Sequence, residues 1–307
     1  MLFWGFVMKL LRVGPQYNER PTMLADDGSL RDLTEVIDDV AGPALSQDAL
    51  ATLAKVDWRR LPIVDSDVRI GPCVAGSKNF VCIGANYADA VAQQNNKPPT
   101  EPVIFLKSLS AICGPYDDLV LPDGSKKTDW EVELGVIIGK RASYVETAHA
   151  MDYVAGYCVC NDVSERELQY EHGPTWDKGK GCDSFGPIGP WFVTRDEVPA
   201  SHDLDLWLDV NGRRMQSGNT KTMIFGIPEI ISYVSRLITL YPGDIISTGT
   251  PPGGGIAQKP EPIFLKEGEE VRAGIRGLGE QRQHVVTRAS LLEGAGKSRN
   301  PTNNVMA

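Results

Sequence analysis

The sequence predicts a β-rich α+β fold. Short apolar runs recur along most of the chain, a single helix is clearly amphipathic, and two glutamates alternate with apolar residues inside one strand. From Phe80 onward the runs FVCIG, VIFLK, EVELGVIIG, AGYCVCND, GPWFV, DLWLDVNG, DIISTG and EEVRAGIRG each have the length and branched or aromatic content of a strand. Against them stands one long helix, with Ile227, Ile230, Ile231, Val234, Leu237 and Ile238 at helical spacing and YPGD closing it. Strands in such excess argue for α+β organisation over a parallel doubly wound sheet.

The chain divides into three parts. Residues 1–75 form a small N-terminal domain whose first seven residues are an extension, with Met8 the structural start. MLFWGFVMKLLRVG carries no basic residue before its apolar run and no cleavage signature, and the run is too short to span a bilayer. MKLLRVG and PTMLADDGSLRDLT read as strands with an Asp-Asp-Gly turn, and a short helix follows over 46–55. The Pro- and Gly-punctuated stretch from Asp57 to Phe80 connects this unit to a larger domain spanning 76–289. Residues 290–307 read as a flexible tail.

At 307 residues the chain is long enough for a large core. A formal net charge of −9 argues against nucleic acid or an anionic membrane surface as a partner, because both attract basic proteins. An acidic small substrate therefore needs a local positive device, either a metal or a few placed Lys and Arg. No run of about 18 apolar residues crosses a membrane. The six cysteines include no CxxC pair, and Cys158 and Cys160 share one face of a strand, as buried thiols do. A reduced, cytoplasmic protein is the expectation.

The segment TDWEVELGVIIG poses the chemical question. Side chains alternate along a strand, so Glu131 and Glu133 point the same way, and alternation adds Asp129. Like charges at such positions are costly to bury alone. One reading is an edge strand with a solvated face. The other is a cation site completed by Asp162, where the apolar strand YCVCND ends. Three carboxylates with no nearby His or Cys select Mg²⁺, Mn²⁺ or Ca²⁺ over Zn²⁺. The residues alone leave both readings open.

Eight segments, from IGANYADA through EPVIFLKSLSAICGPYDDLVLP, TDWEVELGVIIGK, AGYCVCNDVSERELQ, TWDKGKGCDSFGPIGPW, LDLWLDVNG and TKTMIFGIPEIISY to PGDIISTGTPPGGG, are similar in order and spacing to the fumarylacetoacetate hydrolase family. The likeness covers about residues 80–287 and leans towards the bacterial branch of 2,4-diketo-3-deoxy sugar-acid hydrolases and acylpyruvases. It implies a mixed β-roll, usually a homodimer. It also implies one Mg²⁺ or Mn²⁺ per subunit held by Glu131, Glu133 and Asp162, gripping a 2-keto or 2,4-diketo acid. Lys180 takes the position of a lysine that steadies the developing enolate. Tyr87, Arg166, Gln169, Gly249 and Thr250 take substrate-facing positions, and Lys178 would replace Lys180 only if the register shifted by two.

One segment departs from that pattern. The hydrolases of the family resemble NYxDHxxE on a mobile lid, whose His and Glu activate water. Here NYADAVAQ puts Ala90 at the His position and Gln93 at the Glu position, with spacing intact. Neither takes a proton from water near neutral pH, and general-base catalysis contributes about 10²–10⁴-fold. His172 lies nearest the site segments but in a Gly-Pro loop; His149, His202 and His284 have no assigned role. Three functions follow in order: a C–C bond hydrolase of a 2,4-diketo acid with weak or altered activity, a metal-dependent 2-keto dicarboxylate decarboxylase or keto–enol isomerase, and a silent keto-acid binder.

Overall fold

The computed structural model describes residues 8–294, and the statements below refer to them. The sheet-rich expectation is met. A mixed sheet of eleven strands packs against a five-stranded sheet, and a small pair, Thr128–Asp129 with Ser164–Glu165, lies beside them. The centre of the large sheet runs Gly186–Thr194, Val154–Asn161, Val132–Ile138, Ile245–Ser247 and Phe80–Gly84. These neighbours are antiparallel except the last two, which are parallel.

The eight apolar runs read as strands all form strands. Val132–Ile138 is buried on both faces, which explains its near-continuous apolar sequence. The five-stranded sheet contains three strands outside the runs read from the sequence, Arg213–Asn219, Gly279–Thr287 and the short Leu119–Leu121. In the second, Gln281 and Gln283 occupy inward positions where apolar residues are the rule. The Gln281 amide donates to Val159 O (2.9 Å) and Pro187 O (3.1 Å), which makes its burial tolerable.

The amphipathic helix is Ile227–Leu237. Ile227, Ile230, Ile231 and Val234 form its buried stripe, each worth roughly 1.5–3 kcal/mol of burial. Leu237 is a correction to the expected stripe: it is 65% exposed, because the chain leaves the helix there. The helix expected over 46–55 spans Gln47–Leu53, with Ser46 Oγ accepting from Ala49 N.

The N-terminal unit is hydrogen-bonded into the large sheet. Lys9–Val13, Arg20–Leu24, Leu30–Asp32 and Ile63–Val64 form a meander that joins Gly186–Thr194 through Lys9↔Val193 and Leu10↔Phe192. Met8 and Leu10 share a core with Ile137, Cys158 and Ile245. Residues 290–294, expected in a flexible tail, are helical, within Arg288–Gly294. Residues 1–7 and 295–307 lie outside the described residues.

The strand that leads to Asp162 is pressed tightly against its neighbour. A Cβ on Gly156 would sit 2.0 Å from Val193 O and 2.7 Å from the Phe192 ring, and backbone cannot yield as a side-chain tip can. Gly156→Ala is expected to lower unfolding stability by on the order of 3 kcal/mol, measured by urea denaturation. A change below about 0.5 kcal/mol would show the sheet to be looser here than described.

Candidate active site

The site follows from one antiparallel register. Val132 pairs with Asn161 and Glu133 with Cys160, so the start of one strand meets the end of the other. Glu131 and Asp162 flank that junction, joined by Asp162 N to Glu131 O (2.8 Å) and Glu131 N to Asn161 Oδ1 (2.9 Å). Glu131, Glu133 and Asp162 each place a carboxylate oxygen within 4.8 Å of the others. Glu133 and Asp162 are buried and Glu131 nearly so, which removes the solvated-face reading.

Three cations hold this cluster. Lys180 Nζ lies 2.5 Å from Glu131 Oε2 and 2.6 Å from Asp162 Oδ2. Arg166 spans Asp129 Oδ2 and Glu131 Oε1 (2.7 Å) and donates to Gln169 Oε1 (2.9 Å). Lys107 Nζ touches the other oxygen of Asp162 at 2.5 Å and donates to the carbonyls of Val163 (2.9 Å) and Lys180 (2.6 Å). Burial raises the Glu131 carboxyl, but Arg166 and Lys180 outweigh it and pull its pKa down to about 2. Burial likewise lowers the Lys180 ammonium, and Asp162 and Glu131 more than reverse this, so it stays charged.

Glu133 differs. Ser247 Oγ (2.6 Å) and Gly249 N (2.8 Å) donate to its Oε2, and among the described residues no cationic side chain pairs with it. Burial, reinforced by Asp162 and Glu131, pushes its pKa well above the usual carboxylate range. Four carboxylates, counting Asp129, thus face three cations. The shortfall sits at Glu133, inside an all-oxygen set of hard donors. Such a set suits a hard divalent cation, and those three residues would hold it.

The structure gives each of the other expected residues its own partners. Lys178 points away, to His172 O, so Lys180 is the lysine at the carboxylates. Asp129 is fully buried and anchors both Arg166 and the loop after Thr250, accepting from Gly255 N (2.5 Å) and Ile256 N (3.1 Å). Gly249 adopts φ +101°, and a Cβ there would lie 2.7 Å from Asn86 Cβ; glycine lets its N–H reach Glu133. Thr250 Oγ1 donates to Val132 O (2.9 Å) and accepts from Gln216 Nε2 (2.8 Å). Tyr87 is buried, and its hydroxyl has no hydrogen-bond partner among the described residues.

Ala90 and Gln93 sit on the short helix Ala88–Gln93. Asp89 accepts from Thr222 Oγ1 (3.2 Å), and Gln93 Oε1 accepts from Gly253 N (3.0 Å), tying this helix to two loops. His172 is exposed and lies near Glu167, with no contact to the carboxylates. Lys107 carries no earlier expectation. Its only sequence signal is a lysine closing the strand VIFLK, which reads equally well as a solvated end.

Comparison with known proteins agrees with the geometry. Residues 79–286 match the fumarylacetoacetate (FAA) hydrolase C-terminal domain. The chain belongs to the fumarylacetoacetate hydrolase family. A Burkholderia lata protein with only a provisional hydrolase name is 56% identical over 277 residues, covering 90% of this chain and 98% of its own length. Among solved structures of the family, a fumarylacetoacetate hydrolase from Exiguobacterium antarcticum is 33% identical with a TM-score of 0.81, covering 92% of this chain and all of that one. A maleylpyruvate hydrolase from Sphingobium sp. SYK-6 is 28% identical (TM-score 0.76, 91% and 100% covered). A 2-hydroxyhepta-2,4-diene-1,7-dioate isomerase from Mycobacterium marinum is 30% identical (TM-score 0.71, 92% and 99% covered). The family fold therefore carries both hydrolases and isomerases.

Lys107→Met would leave Asp162 and two buried carbonyls short of their cation. The metal-free protein is expected to lose about 3–5 kcal/mol of unfolding stability in urea, as when one partner of a buried ion pair is removed. A loss under about 1 kcal/mol would mean that Lys180 alone satisfies Asp162.

Proposed function

We propose that this chain is a divalent-metal-dependent hydrolase that cleaves a C–C bond of a 2,4-diketo acid and releases pyruvate. The observation that carries this reading is the Lys180 ammonium, fixed within 2.6 Å of two members of a carboxylate trio that fits a divalent ion. A bound Mg²⁺ or Mn²⁺ supplies Lewis-acid polarisation of the substrate's 2-keto oxygen.

The chain's own residues divide the remaining work. Water adds to the C4 carbonyl, the C3–C4 bond breaks, and its electron pair passes to the pyruvate unit as an enolate. Lys180 donates a hydrogen bond towards that oxygen as its charge grows, a stabilisation that exists mainly in the transition state. Proton return to C3 completes pyruvate, and the acyl part leaves as a carboxylic acid. Arg166 and Gln169 orient the substrate from the side facing Asp129. Thr250, Gly249 and Tyr87 bound the carboxylate end. The working unit is a homodimer in a reduced cytoplasm, with one metal per subunit.

The lid favours a second reading. Ala90 provides no base, and the Gln93 carbonyl oxygen is already engaged by Gly253 N. A decarboxylase or keto–enol isomerase needs the metal and Lys180 but no activated water.

With Mn²⁺ and acetylpyruvate, pyruvate release coupled to lactate dehydrogenase is expected. EDTA abolishes it, and Glu131→Gln lowers it at least ~100-fold. Restoring the pair with Ala90→His and Gln93→Glu is expected to raise cleavage by about 10²–10⁴-fold. Carbon dioxide from oxaloacetate, or loss of an enol absorbance, without pyruvate from any diketo acid selects the second reading. Ligand binding without either product marks a silent homologue.

A further inference from the structure

Three aromatic rings run outward from the reacting groups. Lys180 Nζ lies 4.7 Å from the centroid of the Phe105 ring. Trp176 stacks edge-on against Phe105 with centroids 5.4 Å apart, and Tyr170 against Trp176 at 5.9 Å. Phe105 is buried, Trp176 half-buried and Tyr170 50% exposed, so the row leads from the carboxylate cluster to solvent. Its inner end is fixed, because Trp176 also packs over Gly84, where a Cβ would lie 2.8 Å from the indole. Tyr170 closes the helix Arg166–Tyr170, whose first residue is bonded to Asp129 and Glu131.

We propose that this row, Phe105, Trp176 and Tyr170, is the specificity wall of the site and receives the substrate's distal acyl chain as an apolar or aryl group. The inference rests on the 2-keto acid reading above and chooses between its two substrate classes, favouring acylpyruvates over deoxy sugar acids. A substrate whose keto-acid head meets Lys180 extends its C4 substituent past Phe105 along the rings. Rings reward contact area and offset stacking. A polyol chain would instead bring several hydroxyls to a wall whose polar atoms are one phenol and one indole N–H, and unpaired hydroxyls are penalised.

The test uses the whole Mn²⁺-loaded protein and calorimetric binding of pyruvate, phenylpyruvate and 2-keto-3-deoxygluconate. Phenylpyruvate is expected to bind at least about tenfold more tightly than pyruvate, as burial of a phenyl ring predicts. Trp176→Ala should abolish that advantage while leaving pyruvate binding within about twofold. Tyr170→Ala, at a half-exposed position, provides the same comparison without core disruption, and should reduce the advantage several-fold. Equal binding of pyruvate and phenylpyruvate, no binding of phenylpyruvate, tighter binding of the deoxy sugar acid, or an advantage unchanged in both variants would overturn the proposal. Pyruvate release from acetylpyruvate, run in parallel, reads the hydrolase assignment separately. Its failure with the phenyl advantage intact removes hydrolysis and keeps the wall.

Discussion

The cluster of carboxylates at the meeting of two antiparallel strands is the constraint on which the rest depends. Glu131, Glu133 and Asp162 converge only because Val132 stands opposite Asn161; a slip of one residue would turn each glutamate to the other face. Bringing them together in a buried place costs more than any local strand propensity returns. The fold offsets that cost by placing Lys180, Arg166 and Lys107 around the cluster, each at more than one acceptor. Buried ion networks of this kind contribute little net stability but strongly disfavour losing any one member. The arrangement therefore reads as functional positioning and not as a device for stability.

Chemistry and architecture meet at the supporting residues. Asp129 holds Arg166 at one end and the backbone of Gly255 and Ile256 at the other. Gln216 bridges Val132 N and Thr250 Oγ1, linking the five-stranded sheet to the loop that bounds the site. Movements of that loop are thus coupled to the carboxylate strand through hydrogen bonds, and Gln93 extends the coupling to the helix carrying Ala90. A lid with a water-activating pair needs freedom and a base. Here two hydrogen bonds join the helix to neighbouring segments, and Ala90 offers no base.

Much of this could be read from residue types alone. Strands with continuous apolar runs announce themselves, whereas alternating glutamates in such a run pose a choice between a solvated face and a cation site that only burial decides. The polar strands Arg213–Asn219 and Gly279–Thr287 were hidden because Gln281 and Gln283 mimic surface residues until their amide N–H groups are found donating to backbone carbonyls. Asp129 was on the right face by alternation, yet nothing local in the sequence marks Arg166 as its partner. Lys107 was invisible for a different reason: a strand-ending lysine is ordinary, and only the fold shows it buried against Asp162. The packing of the N-terminal meander into the large sheet also lay beyond the sequence, since long-range strand order leaves no local trace.

The central claim is that Glu131, Glu133 and Asp162 form a divalent-metal site, with Glu133 the carboxylate still lacking a cation. Titrating the metal-free protein with Mn²⁺, with free ion followed by electron paramagnetic resonance, tests this without reference to turnover. The account predicts one ion bound per chain, with binding lost in Glu133→Gln and in Asp162→Asn while both variants remain folded by circular dichroism. No stoichiometric binding, or binding unchanged in those two variants, would contradict it.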